Sequence, residues 1–159
     1  MTTKDDFDEQ EWARIVRAPF VAGMAITLAD PGGPIEATKE SMASMKSATN
    51  PPSREQLLSE VALDIQASVQ QRHNPLKGFK PGAGKPPGEQ VLDELREVQQ
   101  LVRAKADPQE TAAFAGWIVQ SAQAAADAAK EGGFMGIGAE RVSQRETDMI
   151  ERVRSAVTE

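Results

Sequence analysis

The chain has 159 residues and a net charge of −6, with no cysteine, one histidine and no tyrosine. That length suits one domain with a core of its own. The composition excludes disulfides, thiolate metal sites and cysteine nucleophiles, and removes most acid–base groups that titrate near neutral pH.

Strand patterning is nearly absent, and aromatic residues make up only 4%. Helical periodicity recurs along the chain, which predicts an all-α single domain of about six helices over 1–159. Residues 1–8 are polar and predict a frayed tail. Asp8 is placed to cap a first helix from Glu9, with Trp12, Ile15, Val16 and Phe20 on one face. Pro19 predicts a kink or break near Arg17-Ala18, because it removes the bond to the Ile15 carbonyl. The helix then resumes to Ala29 and stops at Asp30-Pro31-Gly32-Gly33. A second helix is predicted from Ile35 to Ser47, ended by Asn50-Pro51-Pro52. Ser53 and Gln56 have the spacing of a capping box for a third helix that ends near Arg72 and carries Leu57, Leu58, Val61, Ile65 and Val69.

Residues 73–88 hold four prolines, four glycines and three lysines, and predict a long flexible loop. Val91, Leu95, Val98 and Val102 form the packing seam of a fourth helix, Glu89 to Ala106. Asp107-Pro108-Gln109-Glu110 combines a cap, a first-turn proline and an acid, and starts a fifth helix that runs to about Lys130. Its alanines favour close approach to a neighbour and make it the expected central helix. After Gly132-Gly133, Ser143 and Glu146 form a third capping-box pattern, opening a last helix with Met149, Ile150, Val153 and Val157. The two stretches Ala22–Ser47 and Ala112–Val157 read as weak copies of one helix–Gly-Gly turn–helix unit. Trp12 and Trp117 precede the two turns at similar places and read as core packing.

The longest apolar run, Ala18 to Ala29, is shorter than the roughly 20 residues a membrane helix needs. The N-terminus is acidic where a secretory signal is basic and then apolar. The expectation is a soluble, cytoplasmic protein.

Candidate sites fall in three places. Between Asp64 and Glu89 there is no acid, while Arg72, Lys77, Lys80 and Lys85 are cationic, His73 adds conditional charge and Phe79 lies between lysines. This basic stripe suits an acidic protein partner, RNA or a phospholipid head group, or is a solvated loop. The net negative charge argues against nucleic acid as the partner of the whole molecule, and a homo-oligomer is compatible with the pattern. The Gly84-Lys85 pair is not a phosphate loop, since Phe79 and Pro86 stand where a glycine and a hydroxyl residue belong. The third place is the pair of glycine turns, ringed by Asp30, Glu36, Glu40 and by Asp127, Glu131, Glu140, Glu146. Such carboxylates serve a hard divalent cation, or serve the helix starts as caps and dipole partners. The Glu-x-x-His pairs of a di-iron bundle are missing.

The segment Ala29-Asp30-Pro31-Gly32-Gly33-Pro34-Ile35 followed by Glu40, together with Val142-Ser143-Gln144-Arg145-Glu146, resembles the TerB-like family of tellurite-resistance-type helical domains over about a third of the chain. Pro31 stands where that family prefers glycine, and the second turn lacks Asp-Gly. The resemblance implies an all-helical stress-response protein with Asp30, Glu40 and Glu146 as metal-binding acids. The residues themselves favour a non-catalytic interaction module with no cofactor. A divalent-metal-binding protein is the alternative, and a two-carboxylate hydrolase ranks last.

Overall fold

A computed structural model describes residues 1–30, 34–82, 84–130 and 143–158. Among the described residues it is all-α, with six α-helices: α1 Glu9–Ala29, α2 Pro34–Thr49, α3 Gln56–Gln70, α4 Pro87–Lys105, α5 Pro108–Lys130 and α6 Gln144–Thr158. Among the described residues there is no strand. The two Gly-Gly turns expected at 31–33 and 132–133 lie outside the described residues.

The helix starts follow local chemistry. Asp8 accepts from the Glu11 amide at 2.8 Å, and Glu11 returns to the Asp8 amide at 3.3 Å. Asp107 accepts from the Glu110 amide at 2.8 Å and so starts α5. Ser143 and Glu146 exchange reciprocal bonds of 3.2 Å at the start of α6. The Ser53–Gln56 capping box does not form. The residue before α3 is Glu55, without a side-chain cap, and the buried Ser53 hydroxyl has no partner. The chain stays irregular from Pro51 to Glu55, so Ser53 lies too early to face the first turn of α3.

Two further expectations are corrected. α1 runs as one helix through Pro19, with no break at Arg17-Ala18. Ile15, Ala18, Phe20, Val21 and Ala22 are all buried around it, and this packing holds the helix together across the missing bond. The N-terminal eight residues, expected as a frayed tail, make defined contacts with the bundle. A short 3-10 turn, Lys4–Asp6, precedes α1. Phe7 is buried against Trp12, the Thr2 amide donates to the buried Glu110 carboxylate at 3.1 Å, and the Lys4 amide donates to Glu60 at 2.6 Å.

The core is shared by all six helices. α5 was the expected centre; α1 and α5 together take that place, each packing against the other and against all four remaining helices. The α5 face is built from small residues, with Ala122, Ala125, Ala126 and Ser121 fully buried. α2 comes close enough for the Ser47 and Ser121 hydroxyls to meet at 3.2 Å and for the Trp117 indole N–H to donate to the Ser47 carbonyl at 2.8 Å. On the far side of α1, Arg14 makes two parallel bonds of 2.9 and 2.8 Å to Glu94 of α4. α1 is the one helix among the described residues long and apolar enough to cross a membrane, and 56% of that stretch is buried inside the bundle.

Two mid-helix glycines sit in opposite surroundings. A Cβ on Gly23 would lie 2.1 Å from Ser44 Oγ and 3.0 Å from its Cβ, whereas a Cβ on Gly116 meets nothing within 4 Å. We therefore expect Gly23→Ala to destabilise by about 1–3 kcal/mol through overpacking, with Ser44→Gly restoring part of the loss. Gly116→Ala should stabilise by up to about 1 kcal/mol through helix propensity. Chemical denaturation of the single and double variants checks both signs.

Candidate functional site

Two regions gather the residues singled out in the sequence. The first lies where the ends of α1 and α5 meet α2 and the start of α6. Glu40 on α2 is 3% exposed, and it accepts a hydrogen bond from the Thr27 hydroxyl on α1. Glu146 on α6 is 6% exposed. Burial pushes its carboxyl above the ordinary glutamate value, and the charges of Asp30, Glu40 and Asp127 push in the same direction, against the bond from the Ser143 amide. Thus Asp30, Glu40 and Asp127 all lie within electrostatic reach of Glu146. Their oxygen donors suit a hard divalent cation. Among the described residues, however, no three acidic or imidazole side chains are close enough to hold one ion together. Glu131 and Glu140 lie outside the described residues.

The second region is a cleft of about 800 Å³ between the N-terminal segment, α1, the end of α3 and the turn that follows it. Phe7, Trp12, Val16 and Phe20 supply its apolar side, and Arg17, Arg72 and Lys77 its cationic side. Asp5, Asp8, Glu9 and Asp64 also line it. Two of these acids are already engaged: Asp8 caps α1, and Asp64 accepts from Lys4 Nζ at 2.8 Å and from the Trp12 indole at 2.6 Å. Burial raises the Asp64 carboxyl, but the bonds from Lys4 and Trp12 and the Lys4 charge outweigh it and hold it below the ordinary value.

Arg72 occupies this rim at a backbone cost. α3 ends in a Schellman motif, with the Arg72 amide on the Val69 carbonyl at 3.0 Å and the His73 amide on the Ser68 carbonyl at 2.9 Å. The motif needs a left-handed residue, usually glycine. Arg72 takes that place at φ 57°, the one non-glycine with positive φ among the described residues. The sequence gives no warning of this, because the usual glycine signal is missing.

The basic stripe does not act as a unit. Arg72 and Lys77 line the cleft, while Lys80 and Lys85 do not. Lys85 pairs with Asp93 of α4 at 3.1 Å. Phe79 is half-buried and packs on the core. Nor is the 73–88 stretch loose throughout. Arg17 donates to the Lys77 carbonyl at 3.0 Å. The Gln90 amide clamps Gly82 and Lys85 through three bonds of 2.7 Å.

The chain matches no family model, no curated protein and no solved structure. The TerB-like resemblance therefore rests on the sequence pattern alone.

The raised Glu146 carboxyl gives a signed pH dependence. A carboxyl whose folded value lies above its unfolded value favours the folded state at low pH. That contribution is lost as pH rises from the unfolded value, about 4.3, through the folded one. Glu146→Gln keeps a capping-box side chain while removing the charge. In chelator-treated buffer the variant should melt higher than the parent at pH 7, and the gap should close towards pH 4. Thermal melts across that range measure it.

Proposed function

We propose that this protein is a non-catalytic helical binding module that docks an acidic segment of a protein partner in the cleft beside α1 and α3. The observation that carries this reading is Arg72. An L-residue in the left-handed region costs about 1–2 kcal/mol, and the helix end would be better served by glycine. A strained residue of this kind is a pointer to function. Arg72 and Lys77 line the same cleft as Phe7 and Trp12, a combination of charge and apolar surface typical of peptide recognition. The TerB-like resemblance adds a stress-response setting to this reading.

Arg72→Gly should raise stability by about 1 kcal/mol, because it relieves the left-handed strain. The same change should weaken docking. Trp12 lines the cleft, so its fluorescence can report titration with a synthetic Asp/Glu-rich peptide carrying one aromatic anchor. Saturable, salt-sensitive binding that drops about tenfold in Arg72→Gly and in Lys77→Glu supports the reading. A stabilised Arg72→Gly that binds the peptide as well as the parent defeats it.

A second reading is favoured by one observation, the crowding of like charge on Glu146. A divalent cation at that end would relieve the repulsion of Asp30, Glu40 and Asp127. Calorimetry and melting in calcium, magnesium or zinc should show a saturable rise in melting temperature that Glu146→Gln and Glu40→Gln reduce. The absence of heat and of any melting shift at millimolar metal rejects it.

A further inference from the structure

The first turn of α5 holds a buried acid whose side chain serves another segment. Asp107 caps the helix by accepting from the Glu110 amide at 2.8 Å. The Glu110 carboxylate turns instead to the N-terminal residues, where its Oε1 accepts from the Thr2 amide at 3.1 Å. Glu110 is 1% exposed. Among the described residues its carboxylate has this one neutral donor and no ion pair. The acids that tie other segments together have cations, as Glu94 has Arg14 and Asp64 has Lys4. A buried carboxylate without a cation is costly, and one neutral amide offsets little of that cost.

The second observation is the change of surroundings at one peptide bond. Met1 is 95% exposed and Thr2 is 4% exposed. The step from solvent to interior therefore falls between these two residues. Thr2 is also held from its other side. The Thr3 amide donates to Asp6 at 2.8 Å, the Lys4 amide donates to Glu60 at 2.6 Å, and Phe7 packs on Trp12. These bonds place the Thr2 nitrogen on Glu110 without help from Met1.

We propose that the Met1–Thr2 bond is a processing site and that the α-ammonium freed at Thr2 forms an ion pair with Glu110. A peptidase that accepts methionine before a small residue suits this bond. One water is consumed. Its oxygen goes to the Met1 carbonyl carbon, which leaves as a carboxylate together with anything that precedes it. Its two hydrogens go to the Thr2 nitrogen, which becomes –NH3+. That nitrogen already lies against Glu110 Oε1, so a neutral hydrogen bond becomes a charge-assisted one. The other two N–H groups take the solvent side that Met1 leaves. The pair fastens the strap that supplies Lys4, Asp5, Phe7 and Asp8 to the cleft beside α1 and α3.

Three chains are compared by thermal melting: one that starts at Met1, one that starts at Thr2 after release from a fusion, and the latter acetylated on its α-amine. At pH 6 the free Thr2 chain should melt about 2–4 °C above both others. Acetylation keeps the N–H donor and removes the charge, so it should erase the whole gain. Pairing raises the α-amine above its unfolded value of about 7.7–8.0. The gain is therefore full below that value and is lost as pH rises through the folded one. Asp107 on the Glu110 amide, Glu60 on the Lys4 amide and Lys4 on Asp64 are common to all three chains, and the comparison cancels them. Glu110→Gln keeps an acceptor for Thr2 and should abolish the difference between the chains. Mass spectrometry of the chain produced in cells from Met1 should find Thr2 first. Retained Met1, equal melting at pH 6, a gain that survives acetylation, or a gain that survives Glu110→Gln overturns the proposal. Should Glu110→Gln fail to fold, titration of the labelled Thr2 amine by NMR decides: a value no higher than in the urea-unfolded chain overturns it.

Discussion

The close approach of α2 to α1 and α5 governs the rest of the structure. It depends on side chains small enough to let helix backbones near one another: Gly23 against Ser44, and Ser47 against Ser121, with Ala122, Ala125 and Ala126 continuing the face. Dispersion and burial grow with such contact, because every atom of a close-packed wall finds neighbours. The polar atoms caught in the seam are satisfied inside it. Ser121 returns its hydroxyl to the Trp117 carbonyl at 2.9 Å, and Trp117 reaches across to Ser47. A seam of this kind tolerates little change in volume, and it fixes where the ends of α1, α2 and α5 lie.

The carboxylate cluster is a consequence. Once α2 is seated, Glu40 is buried beside Thr27, and the starts and ends of neighbouring helices bring Asp30, Asp127 and Glu146 within electrostatic reach. The other end of the bundle is organised differently. There, opposite charges bridge separate helices, as in Arg14 with Glu94 and Lys4 with Asp64. Like charges thus lie within reach of Glu146 at one place, while opposite charges pair at others. Such asymmetry has physical content, since like charges held together are costly and a partner of opposite sign lowers that cost.

At the cleft a residue departs from what local structure prefers. Arg72 stands where a helix end wants glycine. The departure coincides with cationic and aromatic residues lining one cleft. Local rules broken without a packing reason are where function is to be sought.

The sequence by itself determined the helices and most of their starts. Asp8, Asp107 and Ser143 act through atoms three residues away, so their chemistry is local and legible. It also determined the core faces, because a 3.6-residue period places Val91, Leu95, Val98 and Val102 on one side whatever they meet. Tertiary structure decided everything that depends on distant partners. The N-terminal residues look frayed as a string and are held by Glu60 and Glu110. Pro19 looks like a break and is carried through by burial. Phe79 lies between lysines in the sequence, and in the fold it packs on the core. The approach of Asp30 and Glu40 to Glu146 depends on helices more than 100 residues apart coming together. Periodicity tells which face of a helix is apolar; only packing tells which other face it meets, and what is left between them.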